Sequence, residues 1–321
     1  MYRWGFRSLG AVVLVGLTYL AVSDAFSVGE VASDTNLLKA RAGHKTKLIK
    51  QVADPDEAET PPDGVLKLVK YRSPAGDLAA YITPDPGDGK KRPAILWIFG
   101  GFSNGIGATA WKEATPANDQ SAAAFRKAGL VMMYPSFRGG SGNPGSVETF
   151  YGEVDDVLAA ADYLANRPHV DPRRIYLGGH STGGTMALLV AEASDRFRAV
   201  FAFGPVGSPA DYGGKRLVYD VKDEQENRLR SPLHYLNAIR NPTFVIEGRN
   251  GNRGSLDELK QSNGVASTQF IEVPGADHFN VLAPMTDLLA RKAAADTGDK
   301  PNIQISASEI QDAARKVVAR R

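Results

Sequence analysis

A single serine lies within a glycine-rich octapeptide, Leu177-Gly178-Gly179-His180-Ser181-Thr182-Gly183-Gly184. Apolar residues precede it and helix-favouring residues follow it, which predicts that Ser181 occupies a turn between a strand and a helix. With Gly179 and Gly183 two residues away on either side, the spacing is that of a sharp turn that exposes a nucleophilic hydroxyl. The amide of Thr182, at the start of the helix, is then placed to bind an oxyanion. The alternative is a loop that only packs helix against strand or binds phosphate, although the lysine of a P-loop is missing.

A nucleophilic serine needs a base, and the chain offers five histidines: His44, His169, His180, His234 and His278. In such a fold the chain order is serine, acid, histidine. Only His278 follows the last predicted strand, in a loop that can reach back over the sheet edge. We therefore expect His278 to be the general base. The alternative for His278 is a surface histidine beside an aspartate.

The acid that would orient this histidine is left open. Its expected place is the loop after the strand 243–247, which contains no aspartate. Glu247, at the strand end, is the first choice, and Asp211 and Asp257 are the others. A further possibility is that no carboxylate is used and that Asn250, Asn252 or a backbone carbonyl orients the imidazole. In a serine protease, exchanging the triad aspartate for asparagine lowers turnover about 10⁴-fold.

A second oxyanion donor is expected after the first central strand, in Phe99-Gly100-Gly101-Phe102. The glycines let the backbone approach a substrate carbonyl, so the amide of Gly101 or Phe102 would act together with that of Thr182. The alternative is a purely structural turn.

These residues must be positioned by regularly alternating elements. A hairpin is predicted at 65–71 and 78–83, followed by apolar strands at 94–99, 130–134, 174–177, 199–203, 243–247 and 269–273. Helices are predicted at about 119–128, 148–167, 182–194, 231–240, 254–263, 280–295 and 307–319. This alternation predicts an α/β fold in which helices cover both faces of a mostly parallel sheet.

Composition excludes several classes of function. The 321 residues are 43% hydrophobic and carry a formal net charge of +2, with no basic block that would indicate nucleic-acid binding. The absence of cysteine excludes disulfides and thiol nucleophiles. No pair of histidines has ligand spacing, so we expect neither a metal nor a cofactor.

The N-terminus predicts a targeting segment. Arg3 and Arg7 precede the apolar run Leu9–Val22, and small residues follow it. Residues 1–25 are interpreted as a secretory signal, with an uncleaved membrane anchor or a buried helix as alternatives. Either of the first two places the body outside the cytoplasm. Residues 26–63 are expected to form an extended arm or linker, because the stretch 54–62 is too charged and proline-rich to pack, and the catalytic domain is expected at 64–321.

Taken together, the chain resembles the α/β-hydrolase superfamily, in particular the catalytic domain of the prolyl oligopeptidase family and its dienelactone-hydrolase-like relatives. The resembling segments are Tyr134-Pro135-Ser136-Phe137-Arg138-Gly139-Gly140-Ser141-Gly142, Gly152-Glu153-Val154-Asp155-Asp156-Val157, Val170-Asp171-Pro172-Arg173-Arg174-Ile175, Gly179-His180-Ser181-Thr182-Gly183-Gly184, Ser231-Pro232-Leu233 and Gly275-Ala276-Asp277-His278-Phe279. The resemblance implies an α/β-hydrolase fold with a mostly parallel eight-stranded sheet. Where the family has an aspartate shortly after a strand-end His-Gly, this chain has Glu247-Gly248 and then no carboxylate. No N-terminal propeller like that of the peptidases is expected, since only about 40 polar residues lie between the predicted signal and the body.

The expected function is that of a serine hydrolase acting on a small ester or a short peptide through an acyl-enzyme on Ser181, with esters favoured. A prolyl-oligopeptidase-like peptidase and a catalytically silent hydrolase fold used for binding are the alternatives. Nucleic acid is not expected as a partner, and a membrane tether would come only through residues 1–25.

Overall fold

Eight strands form one hydrogen-bonded sheet in the computed structural model, which describes residues 36–112 and 114–317. In chain order the strands are β1 (Lys67–Ser73), β2 (Gly76–Ile82), β3 (Arg92–Ile98), β4 (Val131–Pro135), β5 (Val170–His180), β6 (Val200–Phe203), β7 (Thr243–Gly248) and β8 (Thr268–Val273). The helices are α1 (Leu37–Arg41), α2 (Ala124–Lys127), α3 (Gly152–Ala165), α4 (Thr182–Ala193), α5 (Glu224–Arg228), α6 (Arg253–Ser262), α7 (Leu282–Ala295) and α8 (Ala307–Ala314).

The strand order across the sheet is β1-β2-β4-β3-β5-β6-β7-β8. The first two pairings, β1 with β2 and β2 with β4, are antiparallel, and every later pairing is parallel. This confirms the prediction of a mostly parallel eight-stranded sheet. Because parallel strands end at a common edge, the loops after β3, β5, β6, β7 and β8 lie close together there.

Helices cover both faces of the sheet, as predicted. Side chains on neighbouring positions of a strand point to opposite faces. Leu96 and Leu177 therefore join one buried core with α3 and α4, whereas Trp97 and Tyr176 join a second with α2 and α7. The continuous apolar runs seen in the sequence correspond to strands that are buried on both sides.

Two predicted helices differ from the structure. Residues 231–240 form two short 3-10 turns, Pro232–His234 and Leu236–Ala238, instead of a helix. Tyr235, Leu236 and Ile239 are all buried in this segment, so tertiary packing overrides the apparent helical pattern.

The helix predicted at 119–128 is reduced to α2. Its first residues are held in turns, because Asp119 accepts a hydrogen bond from the Ser121 amide and the Ser121 hydroxyl accepts one from the Ala123 amide. Such local side-chain bonds compete with helix formation.

The N-terminal strap, residues 36–63, packs against the body of the protein. Leu37 in α1 is fully buried. Further along, the Ile49 amide donates to the Val218 carbonyl and the Asp54 amide to the Gly139 carbonyl, each at 2.8 Å. The expectation that this arm is too charged to pack is wrong, because its backbone amides are used for binding while its carboxylates stay at the surface.

A buried ionic cluster fixes the strap to the segment 204–231. The Nε2 atom of His44 lies 2.8 Å from one carboxylate oxygen of Glu226, and Arg230 donates to the other at 2.6 Å. Glu226 and Arg230 are almost completely buried, and the hydroxyl of Thr46 also donates to Glu226. The N-terminal strap is therefore tied to the segment 204–231 by buried side chains.

The predicted signal or anchor at 1–25 lies outside the described residues. Among the residues that are described, no helix has the length and apolar character needed to cross a membrane.

Candidate active site

Ser181 lies at the turn between β5 and α4, at the carboxyl edge of the sheet. Its φ of 57° and ψ of −117° place it in the left-handed half of backbone space. Such a conformation costs a residue other than glycine about 1–3 kcal/mol and is typical of functional sites. The Ser181 amide donates to the Phe203 carbonyl at 2.7 Å, which anchors the turn to the neighbouring strand β6.

The glycines beside Ser181 allow close backbone contacts. A Cβ atom on Gly179 would lie 2.3 Å from the carbonyl oxygen of Gly183, and one on Gly183 would lie 2.3 Å from the carbonyl oxygen of Ile98. No side chain fits at these distances. Both glycines are therefore needed for the turn that exposes Ser181.

His278 lies in the loop between β8 and α7, where its Nδ1 atom is 2.9 Å from Glu247 Oε2. Glu247 is only 1% exposed, and its other oxygen accepts a hydrogen bond from the Gly248 amide at 2.7 Å. Because a carboxylate accepts hydrogen bonds, Nδ1 of His278 carries the proton and Nε2 is left as the base. The contact with Asn252 Nδ2, at 3.4 Å, is too long to compete.

The other two carboxylates considered are placed elsewhere. Asp257 forms an exposed ion pair with Arg253 at 3.4 Å, and Asp211 belongs to the 3-10 turn Pro209–Tyr212. Neither hydrogen-bonds to His278 in the described chain. The structure thus brings Glu247, of the three, to the histidine.

Gly251 makes room for this carboxylate. A Cβ atom at position 251 would lie 2.4 Å from Glu247 Oε1 and 2.7 Å from the His278 amide nitrogen. The space that a side chain at 251 would fill is taken by a carboxylate arriving from the strand instead. The carboxylate that faces His278 therefore comes from Glu247 at the strand end, and the loop that follows has a glycine where a side chain would collide with it.

The serine and the histidine meet at the end of β6. A Cβ atom on Gly204 would lie 2.4 Å from Cε1 of His278, and Gly204 directly follows Phe203, the residue that holds the Ser181 amide. Among the described residues, the Ser181 hydroxyl makes no direct hydrogen bond to His278, whose Nδ1 faces Glu247. Catalytic hydrogen bonds are often long or poorly aligned until substrate binds.

The backbone amides of Gly101, Phe102 and Thr182 have no acceptor among the described residues, and these three residues line one cavity. Gly101 has a φ of 107°, which suits glycine alone. Its carbonyl accepts a hydrogen bond from the Thr182 hydroxyl at 2.5 Å, which fixes the peptide that carries the Phe102 amide. The arrangement supplies donors at the N-terminus of α4 and in the facing loop, as an oxyanion site requires.

His180 and Gln120 contribute to the site in a way that the sequence did not reveal. The Nε2 atom of His180 lies 2.7 Å from the carbonyl oxygen of His278 and must donate to it. Its Nδ1 atom then accepts from the side-chain amide of Gln120 at 2.8 Å. Burial, together with the charge of neighbouring His278, lowers the pKa of His180 to about 3, so it is neutral at physiological pH. His180 therefore holds the loop that carries the base, and its only sequence signal is its place before Ser181.

A small cavity of about 40 Å³ adjoins the three amides. Its walls are mostly apolar and aromatic, formed by Ile98, Phe99, Gly101, Phe102, Ser103, Asn104, Phe137, Val147, Thr149, Phe150, Thr182, Gly183 and Met186. The cavity is placed to receive one side of a substrate whose carbonyl binds at the amides.

The sheet order, a serine on a strained turn after the fifth strand and a histidine after the last strand define the α/β-hydrolase fold. Within that fold, the profile of the prolyl oligopeptidase family matches residues 116–279, about half of the chain. The chain belongs to the prolyl oligopeptidase family. The matched region contains Ser181, Glu247 and His278.

Similar proteins include peptidases and an esterase. The chain is 27% identical over 173 residues to the uncharacterized peptidase YuxL of Bacillus subtilis (strain 168). The matched region is 47% of this chain and 26% of YuxL. A Mycobacterium tuberculosis puromycin-hydrolyzing peptidase superposes with a TM-score of 0.58 at 18% identity over 74% of this chain and 40% of its own. An esterase from Pyrobaculum calidifontis superposes with a TM-score of 0.52 at 18% identity. The superposition covers 73% of this chain and 86% of the esterase. These superpositions show the shared fold. The chain thus spans about a quarter of YuxL and most of the esterase.

Proposed function

We propose that the protein is a serine hydrolase that cleaves carboxylic esters, with short acyl groups preferred, through a covalent acyl-enzyme on Ser181. The observation that carries this proposal is the 2.9 Å contact between His278 and the buried Glu247, at the sheet edge where Ser181 stands on its strained turn. A buried carboxylate, an oriented imidazole and a half-buried hydroxyl form the arrangement that activates a serine.

In the first half of the reaction, the Ser181 oxygen bonds to the substrate carbonyl carbon while its proton passes to Nε2 of His278. The carbonyl oxygen becomes negatively charged and accepts hydrogen bonds from the Thr182 amide and from the amide of Gly101 or Phe102. The bond between the carbon and the leaving oxygen then breaks. His278 returns the proton to that oxygen, and an alcohol departs.

In the second half, a water molecule gives its proton to His278 and its oxygen bonds to the acyl carbon. The bond between that carbon and the Ser181 oxygen breaks, and the proton passes from His278 to Ser181. Glu247 stays ionised throughout and stabilises the imidazolium of His278 in each half.

The cavity beside the amides supports the preference for short acyl groups. A single water molecule needs a cavity of about 10–15 Å³, so a cavity of about 40 Å³ accepts only a few non-hydrogen atoms. Its apolar walls, including Phe99, Phe102 and Met186, favour a hydrocarbon chain. The likeness to an esterase over 86% of that enzyme's length supports ester hydrolysis. The peptidases similar to this chain make peptide hydrolysis the competing activity.

The test is a substrate panel of p-nitrophenyl acetate, butyrate and octanoate together with aminoacyl and prolyl p-nitroanilides. We expect kcat/KM to be highest for acetate or butyrate and at least tenfold lower for octanoate. Ser181→Ala should reduce turnover to the background rate. Ser194→Ala, which changes a serine at the other end of α4, should leave it unchanged.

Two results would contradict the proposal. Cleavage of the anilides with no cleavage of the esters would identify a peptidase. No hydrolysis of any substrate, together with no labelling of the wild-type protein by a fluorophosphonate, would instead support a silent fold used for binding.

We further propose that residues 1–25 carry the catalytic body across a membrane, either as a cleaved signal or as an anchor. The basic start at Arg3 and Arg7 and the apolar run 9–22 support this. N-terminal sequencing of the protein recovered from cell fractions tests it: a start near residue 26 indicates cleavage, whereas an intact N-terminus in the membrane fraction indicates an anchor. An intact chain in the cytoplasmic fraction would contradict export.

A further inference from the structure

One threonine in the wall of the cavity beside the oxyanion amides has a hydroxyl that no other described group uses. Thr149 lines this cavity and is only 6% exposed. Its Oγ1 atom is buried and makes no hydrogen bond within the described part of the chain. Such a hydroxyl has given up its hydrogen bonds to water and gained none in the protein, which destabilises the folded state.

The other polar side chains in the cavity wall differ from Thr149 in this respect. Ser103, Asn104 and Thr182 each make a hydrogen bond to another group of the described protein. The rest of the wall consists of apolar side chains and glycine backbone. A substrate that enters the cavity therefore meets one hydroxyl whose hydrogen-bonding capacity is wholly unused by the described residues.

The backbone at Thr149 is strained. Its φ is 50°, and the φ of the next residue, Phe150, is 67°. A β-branched residue in this left-handed region is an outlier, because the substituents on Cβ crowd the backbone. Within the described chain, Thr149 is the one β-branched residue with a positive φ. Strain of this kind is concentrated at active sites and ligand-binding positions.

Two buried charged side chains hold this strained backbone in place. Glu153 accepts hydrogen bonds from the amides of Glu148, Thr149 and Tyr151 at 2.7, 3.1 and 3.1 Å. Arg230 donates from Nε to the carbonyls of Glu148 and Thr149 at 3.1 and 2.9 Å. Both backbone polar groups of Thr149 are therefore occupied. Its hydroxyl is the polar group left for a ligand, on a part of the cavity wall that is rigidly positioned.

We propose that Thr149 is a substrate-binding residue and that the acyl group of the substrate carries an oxygen atom within a few bonds of the ester carbonyl. The Thr149 hydroxyl donates a hydrogen bond to this oxygen, while the apolar walls contact the neighbouring carbons. Because the cavity of about 40 Å³ accepts only a few non-hydrogen atoms, the class that fits is esters of short alkoxy or hydroxy acids. The inference rests on the proposed ester hydrolysis and names its substrate class.

The test compares two substrates of matched shape, p-nitrophenyl methoxyacetate and p-nitrophenyl butyrate. An ether oxygen in the first acyl group replaces a methylene in the second. Because this oxygen also activates the ester chemically, the ratio of the two kcat/KM values is divided by the ratio of the two rates of hydrolysis by hydroxide. We expect this corrected ratio to favour methoxyacetate by about threefold to tenfold in the wild-type protein, as a hydrogen bond between neutral groups should.

Thr149→Val keeps the branched shape and removes the hydroxyl. We expect its corrected ratio to fall to about one, with kcat/KM on butyrate at the wild-type value or above, since butyrate makes no use of the hydroxyl. A merely structural role would instead lower the rates on both esters together. Thr149→Ser retains the hydroxyl and should retain the preference for methoxyacetate.

The matched control is Thr268→Val. The Thr268 hydroxyl is also buried without a partner among the described residues, but Thr268 begins β8 and does not line the cavity. Thr268→Val should therefore keep the wild-type corrected ratio and the wild-type rate on butyrate.

A corrected ratio near one in the wild-type protein would overturn the role of Thr149, and this measurement decides the matter even if Thr149→Val does not fold. An unchanged ratio in a folded Thr149→Val protein, or an equal loss of preference in Thr268→Val, would overturn it as well. A wild-type protein that neither turns over esters nor reacts with a fluorophosphonate would overturn the proposed function itself. The two failures are therefore distinguishable.

Discussion

Replacing Glu247 with glutamine tests the assignment of the acid. Oε1 of Glu247 accepts a hydrogen bond from the Gly248 amide at 2.7 Å, and Oε2 faces Nδ1 of His278 at 2.9 Å. In Glu247→Gln the amide oxygen must stay with Gly248, which turns the NH₂ group toward His278. Two donors cannot face each other, so Nδ1 loses its proton and Nε2 carries it. The imidazole then presents a hydrogen, and not a lone pair, to Ser181.

The size of the effect follows from this tautomer change. The corresponding exchange in a serine protease lowers kcat about 10⁴-fold. Glutamate and glutamine are equal in size, and only 1% of the Glu247 surface is exposed. The glutamine side chain is therefore held where the glutamate was, and the imidazole of His278 keeps its position. We expect a decrease of about 10³- to 10⁴-fold in kcat, with KM changed by less than about threefold.

The assay is steady-state hydrolysis of p-nitrophenyl butyrate, with circular dichroism melting to show that the variant is folded. Asp257→Asn is the matched control, since Asp257 pairs with Arg253 at the surface, and it should retain wild-type rates. A folded Glu247→Gln protein with more than about a tenth of wild-type kcat would refute the reasoning. A large loss of kcat in Asp257→Asn instead would indicate that Asp257, in α6, is the acid.

Three further outcomes are expected. Gly251→Ala should lower kcat at least tenfold, because its Cβ would lie 2.4 Å from Glu247 Oε1, whereas Gly254→Ala, with nothing within 4 Å, should not; equal rates in both would contradict the spatial argument. The pKa of His180 is about 3 when folded and about 6.5 when unfolded, so the unfolded chain binds the extra proton and the free energy of unfolding should fall by up to about 5 kcal/mol as pH drops through that window. Urea titrations should show a shallower fall in His180→Gln; an unchanged slope would contradict this. Ser181→Gly should raise the free energy of unfolding by about 1 kcal/mol relative to Ser181→Ala, because glycine relieves the strain at φ 57°; an equal or lower value would contradict a strained turn.

Local patterns were sufficient to predict the sheet and the turn at the serine. The apolar runs predicted for β3 to β8 are short and continuous, and each matches a strand of the structure to within one residue at either end of the run. Gly179 approaches the carbonyl of Gly183 within the same turn, so the spacing of the two glycines could be interpreted directly, whereas the approach of Gly183 to Ile98 of β3 became visible only in the structure.

The remaining features depend on contacts between distant parts of the chain. Glu247 fits beside His278 because Gly251 has no side chain, and this steric relation is visible only in the structure. The sequence alone therefore left three carboxylates as candidates for the acid. Gln120 reaches His180 from a loop with no distinctive pattern. The strap was misjudged because its charge was visible in the sequence, whereas the carbonyls that its amides bind were not. In the segment 231–240, tertiary packing overrode an apparent helical pattern.

The central claim is that Ser181 is a nucleophile activated by His278. The most direct measurement is peptide mapping by mass spectrometry after reaction with a fluorophosphonate, on the wild-type protein and on His278→Ala. The account predicts one adduct, on the peptide that contains Ser181, formed at least a thousandfold more slowly in His278→Ala. An adduct on another residue, or equal rates of labelling in the two proteins, would contradict it.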